Sequence, residues 1–236
     1  MLDALFFGAH PDDVELTSGG LAALLAMHGH VVGIADLTQG EAASRGTPPQ
    51  RALEADAAAR ALGVALRINL GLPDLGLDRH DPDQLRVVVE ILRTHRPGLV
   101  VAPDRHDAHP DHVEASALIA RACYVSGLAR FGASGERHRP ERLLFALYRR
   151  GTPHLVVDVT PVWDRRATAL AAHASQVGPG PGPSTYLTHP DFLGEVEARA
   201  RVFGASIGAR YGEGYRTRGG PVPVTDARTL LAGGSR

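Results

Sequence analysis

The chain has 236 residues, 44% of them hydrophobic and 22% charged, with a formal net charge of -1. That apolar content excludes wholesale disorder, the length suits one α/β domain burying roughly 70% of its unfolded surface, and near-neutrality removes the bulk electrostatic argument for nucleic acid or an anionic membrane. All 25 basic residues are arginine and Cys123 is the single cysteine, which excludes lysine Schiff-base and P-loop chemistry, disulfide frameworks and thiolate zinc clusters, and predicts a reducing, cytoplasmic setting.

No apolar run approaches about 18 residues, so no membrane span is expected, and the opening MLDALFFGAHPDDVE lacks the basic start of a signal peptide. An apolar run over 2–9 predicts a first strand. Helical apolar spacing follows over 14–28, and a second strand over 30–37. A polar loop (38–49) precedes an Ala-rich helix over 49–62 closed by Gly63. A third strand (64–70), a loop (71–80), a helix with Pro82 in its first turn (81–96), a fourth strand (98–102), a loop (103–110) and a helix (111–127) complete the alternating part. This alternation predicts right-handed βαβ units in a Rossmann-like, doubly wound, mostly parallel sheet of order 3-2-1-4-5. Two successive strands, 142–148 and 154–160, separated only by a turn, predict an antiparallel edge. Helices over 161–176 and 191–203 flank GPGPGPS (178–184), a candidate lid. We read one domain over 1–218 and a Gly/Pro-rich tail over 219–236.

Two clusters carry chemistry. Ala9-His10-Pro11-Asp12-Asp13 follows the first strand, and His106-Asp107-Ala108-His109-Pro110-Asp111-His112 follows the fourth. In the expected strand order these strands are neighbours at the topological switch point, where doubly wound sheets bind ligands. Imidazoles and carboxylates without thiolate are the donor set of a catalytic zinc site, which takes three protein ligands and keeps one position open. Such a site also needs a carboxylate base and a group that steadies an oxyanion, and the clusters hold more candidates than a metal requires. Gly19-Gly20 lacks the spacing or lysine of a phosphate cradle and is read as close packing. Outside the clusters most histidines, His173 included, are read as surface or helix-end residues, His106 as a loop residue or a support of the site, and His189, after the 178–184 loop, as one that could enter the pocket.

These residues resemble the paired signature of the LmbE-like (PIG-L) zinc-dependent N-deacetylases. GAHPDDVE, the 47–63 segment with Arg51, RINLGLPD (67–74), the stretch from VVAP to HPDH and FGASIGARYGEGY (203–215) are similar to the branch of bacillithiol-biosynthesis deacetylases, which convert N-acetylglucosaminyl-malate to glucosaminyl-malate. The resemblance implies one Zn2+ per chain (iron or cobalt being alternatives) held by His10, Asp13 and His112, with Asp12 as general base. It further implies that His109, oriented by Asp111, stabilises the oxyanion or protonates the leaving amine, and that Arg51 captures a substrate carboxylate. It implies a small-molecule N-acetylglucosaminide as partner and a homo-oligomer, often a hexamer. Ala108 and Leu75 stand where the branch tends to carry arginine, and Arg105 or Arg45 are candidate replacements. A tyrosine of the branch aligns near Phe192, with Tyr186 close by. The rival substrates are N-acetylglucosaminyl-inositol, chito-oligosaccharides and thiol-conjugate amides. The rival function is a Rossmann-type sugar- or nucleotide-binding module without hydrolysis.

Overall fold

The structure, a computed structural model, describes residues 1–148 and 151–218. The alternating first half forms β1 (Ala4–Gly8), α1 (Asp13–Thr17), α2 (Gly19–Met27), β2 (Val32–Thr38), α3 (Pro48–Leu62), β3 (Leu66–Leu72), α4 (Pro82–His95), β4 (Leu99–Pro103) and α5 (Pro110–Val125). β5 (Arg142–Ala146), β6 (Leu155–Asp158), α6 (Trp163–Ala172), α7 (Phe192–Ala205) and β7 (Gly212–Thr217) follow. The expected tail, 219–236, lies outside the described residues. Among the described residues no helix is long and apolar enough to cross a membrane.

The sheet runs β3-β2-β1-β4-β5-β7-β6. The first five strands are parallel in the expected order. β1 shows why its short run is uniformly apolar: Leu5 and Phe7 enter the core beneath α4 and α5, whereas Ala4 and Phe6 enter the one beneath α2, α3 and α6. Alternate residues face opposite sides, and helices cover both. The expected antiparallel edge is present, in a different pairing. β5 and β6 do not pair; β7 inserts between them and runs antiparallel to both.

The helix expected over 14–28 is broken at Ser18 into α1 and α2. The cause lies 193 residues away in sequence: the Gly20 N–H donates to Glu213 Oε1 at 2.7 Å and Leu21 N–H to Oε2 at 2.8 Å. This β7 carboxylate therefore terminates α2 in place of the preceding turn, where anions are favoured. Tyr215 donates its hydroxyl to Glu213 at 2.7 Å, and Arg166 Nε lies 3.0 Å away. A Cβ on Gly20 would stand 2.7 Å from Glu213 Oε1 and 2.8 Å from the Val159 side chain, so close packing accounts for this glycine.

Candidate metal centre and active site

The carboxyl ends of β1 and β4 are adjacent, and the chain leaves them towards opposite edges of the sheet. Both clusters hang from these ends. Gly8 lets the HPDD turn fold back on its strand, since a Cβ there would sit 2.9 Å from the His10 carbonyl oxygen. His10 N–H donates to Asp13 Oδ2 at 2.8 Å, closing the turn. Asp12 adopts φ 129° and ψ -22°, a conformation that L residues rarely occupy. Arg51 donates to the Pro11 carbonyl at 2.6 Å and to the Gly40 carbonyl at 3.2 Å, and Leu16 N–H to the Asp12 carbonyl at 3.0 Å. Beneath the turn, Arg67 clamps Asp36 through two hydrogen bonds and Glu15 through a third at 2.5 Å.

Of the expected metal ligands, Asp13 stands between the two imidazoles and meets each through a different oxygen. Asp13 Oδ1 lies 3.2 Å from His112 Nε2, and Asp13 Oδ2 3.6 Å from His10 Nδ1. The far nitrogens of both rings meet other carboxylates. His112 Nδ1 is 3.1 Å from Asp107 Oδ2, while His10 Nε2 is 3.1 Å from Asp74 Oδ1 and 3.4 Å from Asp111 Oδ2. Carboxylates on the outer nitrogen fix which ring nitrogen faces inward, the usual support of a metal-binding imidazole. Among the described residues, the donor atoms that lie within 4.8 Å of one another are those of His10, His109 and His112 and those of His10, Asp74 and Asp111, neither group including Asp13.

The electrostatics favour a cation. Burial opposes charge on His10, yet Asp111, Asp13 and Asp74 outweigh it and push the imidazole up to about 12. Burial likewise opposes charge on His112, but Asp13 and Asp107 raise it to about 10. Asp13 itself is held well below the usual carboxylate range by these imidazoles, against its burial. The residues therefore fit a divalent ion, which would take the place of protons held by four surrounding carboxylates. Asp12 behaves oppositely: burial raises it to about 6, although Arg51 pulls it down. His109 is lowered, first by burial and then by the charges of His112 and His10.

These groups floor a pocket of about 520 Å³ walled by Leu16, Leu75, Tyr148, Thr185, Tyr186 and Leu187. That is within the size range of small-molecule sites.

The family model described as PIG-L, GlcNAc-PI de-N-acetylase, matches residues 5–123. The chain belongs to the PIG-L family. It is 29% identical over 222 residues to the diacetylchitobiose deacetylase of Thermococcus kodakarensis, covering 88% of this chain and 79% of that protein. It is 30% identical over 185 residues to a probable N-acetyl-alpha-D-glucosaminyl L-malate deacetylase 2 of Bacillus cereus, covering 71% and 80%. The solved structure of a conserved protein from Thermus thermophilus, TT1542, superposes with TM-score 0.87 at 36% identity, covering 95% of this chain and 98% of that one. The protein is thus an enzyme of a deacetylase family carrying a candidate His/Asp metal site.

Within this PIG-L site, two expected details differ in geometry. Asp111 directs its carboxylate to His10 and to the Leu75 N–H, which donates at 2.8 Å; its link to His109 runs instead through its backbone N–H, which donates to His109 Nδ1 at 3.2 Å. The reason is that His109 caps α5, so its ring nitrogen receives the first free N–H of that helix. Arg51 reaches the pocket wall, but its terminal nitrogens hold backbone carbonyls and stand 3.5 Å from Asp12; its Nε is buried without a hydrogen-bond partner. Arg45 is buried and donates to the Gly178 carbonyl, and Arg105 lines a different cavity, so neither replaces the arginines absent at Leu75 and Ala108. Sequence reasoning misses Asp74 and Asp107 as site residues. Their signal is adjacency to recognised motifs, Asp74 in LGLPD and Asp107 before HPDH. His173, read as a surface or helix-end residue, does close α6 but is fully buried there, with Nε2 3.4 Å from Glu15 Oε2.

Proposed function

We propose that this enzyme hydrolyses the acetamide of a small N-acetylglucosaminide, N-acetylglucosaminyl-malate first among candidates, giving glucosaminyl-malate and acetate in bacillithiol biosynthesis. The observation that carries it is the pocket floor, where Asp13 stands between His10 and His112, each ring has an outer carboxylate, and Asp12 lines the same pocket. His10, Asp13 and His112 would hold Zn2+. When bound, the ion supplies a Lewis acid that polarises the acetamide carbonyl and acidifies a water.

The chain supplies the rest. Asp12, raised towards neutrality, accepts the proton of the attacking water; a base of that pKa is ionised at pH 7 and still basic enough to work. His109 accepts at Nδ1, so its neutral ring carries the proton on Nε2, the donor that an oxyanion or a departing amine needs. Asp111 holds His10 rather than His109, a positioning role. Arg51 has five N–H donors, and those not committed to carbonyls are available to a hydroxyl or carboxylate of the substrate. We place the enzyme in the cytoplasm as a homo-oligomer; a single buried thiol, Cys123, suits that setting.

A second reading is favoured by Leu75 and Ala108, which line the pocket where the malate branch tends to carry cations. It assigns a neutral aglycone, as in diacetylchitobiose. The test is free-amine release from a panel comprising N-acetylglucosaminyl-malate, N-acetylglucosaminyl-inositol and diacetylchitobiose, each with added zinc and after chelation. Highest kcat/KM on the malate glycoside supports the first reading, and on chitobiose the second. No zinc-dependent release from any of them refutes both.

A further inference from the structure

A second cavity, of about 560 Å³, lies on the other side of the β4–α5 loop. The loop divides the two: Asp104, Arg105 and His106 line this cavity, whereas Asp107, Ala108 and His109 line the pocket described above. Its other polar walls come from Arg79, His154, Arg216 and Arg218, along with the hydroxyl residues Ser116, Thr152 and Thr217. No part of the deacetylase reading uses it.

The hydrogen bonds already made there leave a wall rich in donors. Arg216 Nη1 donates to Asp104 Oδ2 at 2.9 Å and lies 2.7 Å from His106 Nδ1, and its Nε donates to the Thr152 carbonyl at 3.3 Å. The one lining carboxylate is thereby occupied. Asp104 Oδ2 also lies 3.5 Å from His106 Nδ1; because a guanidinium has only donors, Nδ1 accepts from Arg216 when the ring is neutral, with the proton on Nε2. At His154 the Thr217 backbone N–H donates to Nδ1 at 3.3 Å and the Thr217 hydroxyl lies 3.2 Å from the same nitrogen, so with Nδ1 accepting the neutral ring again has its proton on Nε2. Arg79 is bound bidentately by Glu114. Among the described residues neither Arg105 nor Arg218 forms an ion pair, and Arg218 donates only to the Ala120 carbonyl at 3.3 Å. Two arginines without a carboxylate and two imidazoles presenting Nε2–H thus surround a space with apolar sides at Val113, Ala117 and Phe145.

We propose that this cavity binds the phosphoryl group of a small phosphorylated molecule. An acceptor-rich anion complements a donor-rich wall, and charge-assisted bonds to guanidinium are the strong kind. The donors arrive from separate elements, namely the β4–α5 loop, the turn before β6 and the end of β7. A tetrahedral phosphate offers lone pairs in those several directions, whereas a carboxylate offers them in one plane.

The test is isothermal titration of the full, zinc-loaded chain with inorganic phosphate at low ionic strength. A Kd on the order of 1 mM is expected, from two or three charge-assisted hydrogen bonds to a fragment. The double variant Arg105→Gln/Arg218→Gln, at two exposed positions, is expected to bind at least about tenfold more weakly with its thermal unfolding unchanged. Asp13→Asn, which disables the candidate metal centre, is expected to bind phosphate like the parent, and acetate to bind at least about tenfold more weakly than phosphate. Absence of saturable phosphate binding, equal binding by the double variant, loss of binding in Asp13→Asn, or equal affinity for acetate would each overturn the proposal.

Discussion

Asp107 offers the sharpest test of the metal centre, because its two oxygens do different work. Oδ2 lies 3.1 Å from His112 Nδ1, and Oδ1 accepts the His109 backbone N–H at 2.9 Å. Both neighbours present an N–H, so a carboxylate satisfies both. In Asp107→Asn one side of the group becomes a donor. If the amide oxygen stays on His109, the NH2 faces His112 Nδ1, which must then accept and carry its proton on Nε2, the nitrogen facing Asp13. If the amide flips, the NH2 opposes the His109 N–H and the start of α5 loses an acceptor. Either outcome disturbs a ligand or the residue beside it. Loss of such an outer partner typically weakens metal binding by about 10–100-fold, about 1.4–2.7 kcal/mol. Asp107→Ala leaves His112 Nδ1 to water and imposes no tautomer, so it should bind zinc no more weakly than the asparagine variant. The assay is competition for zinc against a chromogenic chelator at fixed pH, paired with kcat/KM at saturating zinc. Parental zinc affinity in Asp107→Asn would refute the assignment of His112 as a ligand through Nε2.

Asp12→Asn should retain zinc while losing about 10²–10⁴ in kcat; a variant within a few-fold of the parent removes Asp12 as the base. In the parent, kcat/KM should fall as pH drops through about 6, since the working form of Asp12 is the ionised one and burial raises its pKa to that value. The same acid limb persisting in the asparagine variant would assign it elsewhere. Zinc binding should tighten as pH rises and release protons into a weakly buffered solution, because the carboxylates around His10 and His112 hold both rings protonated without metal; zinc uptake without proton release contradicts that charge state. Gly20→Ala should lower stability by about 1–3 kcal/mol in denaturant unfolding, since its Cβ would press on Glu213 and Val159; an unchanged midpoint would show that α2 shifts freely.

The sequence makes the centre of this site legible because the information is local. AHPDD and HPDH each place several ligating groups within one turn, and the βα alternation alone puts the two turns side by side. What escapes sequence reading depends on long-range geometry. β7 reads GEGYRT, with two glycines and two charges in six residues, and lacks the apolar signature of a strand; it is one because β5 and β6 both leave it an open edge. The break at Ser18 follows from a carboxylate supplied by that same strand. His173 reads as a helix-end histidine, and only the burial of Glu15 beside Arg67 brings it inside. Asp74 sits in a turn where aspartate is ordinary, and its turn reaches His10 only once β3 is at the sheet edge.

These long-range elements bear on the chemistry through Asp12. A positive φ at a non-glycine residue typically costs about 1–3 kcal/mol, and it persists only where the surroundings over-determine it. Here they do. The Pro11 carbonyl is held by Arg51 from α3, the Asp12 carbonyl by the first turn of α1, and the His10 N–H by Asp13. α1 in turn is anchored from below by Glu15 to Arg67 of β3, and its partner α2 by Glu213 of β7. Tethers from α3, β3 and β7 join those of the turn itself, so the position of the Asp12 carboxylate belongs to the whole sheet rather than to its own loop. Arg51 then has two consequences from one location: it fixes the backbone that points Asp12 into the pocket, and its charge limits how far burial can raise that carboxyl. Without that charge the same burial would push Asp12 further up and leave more of it protonated, and therefore idle as a base, at neutral pH.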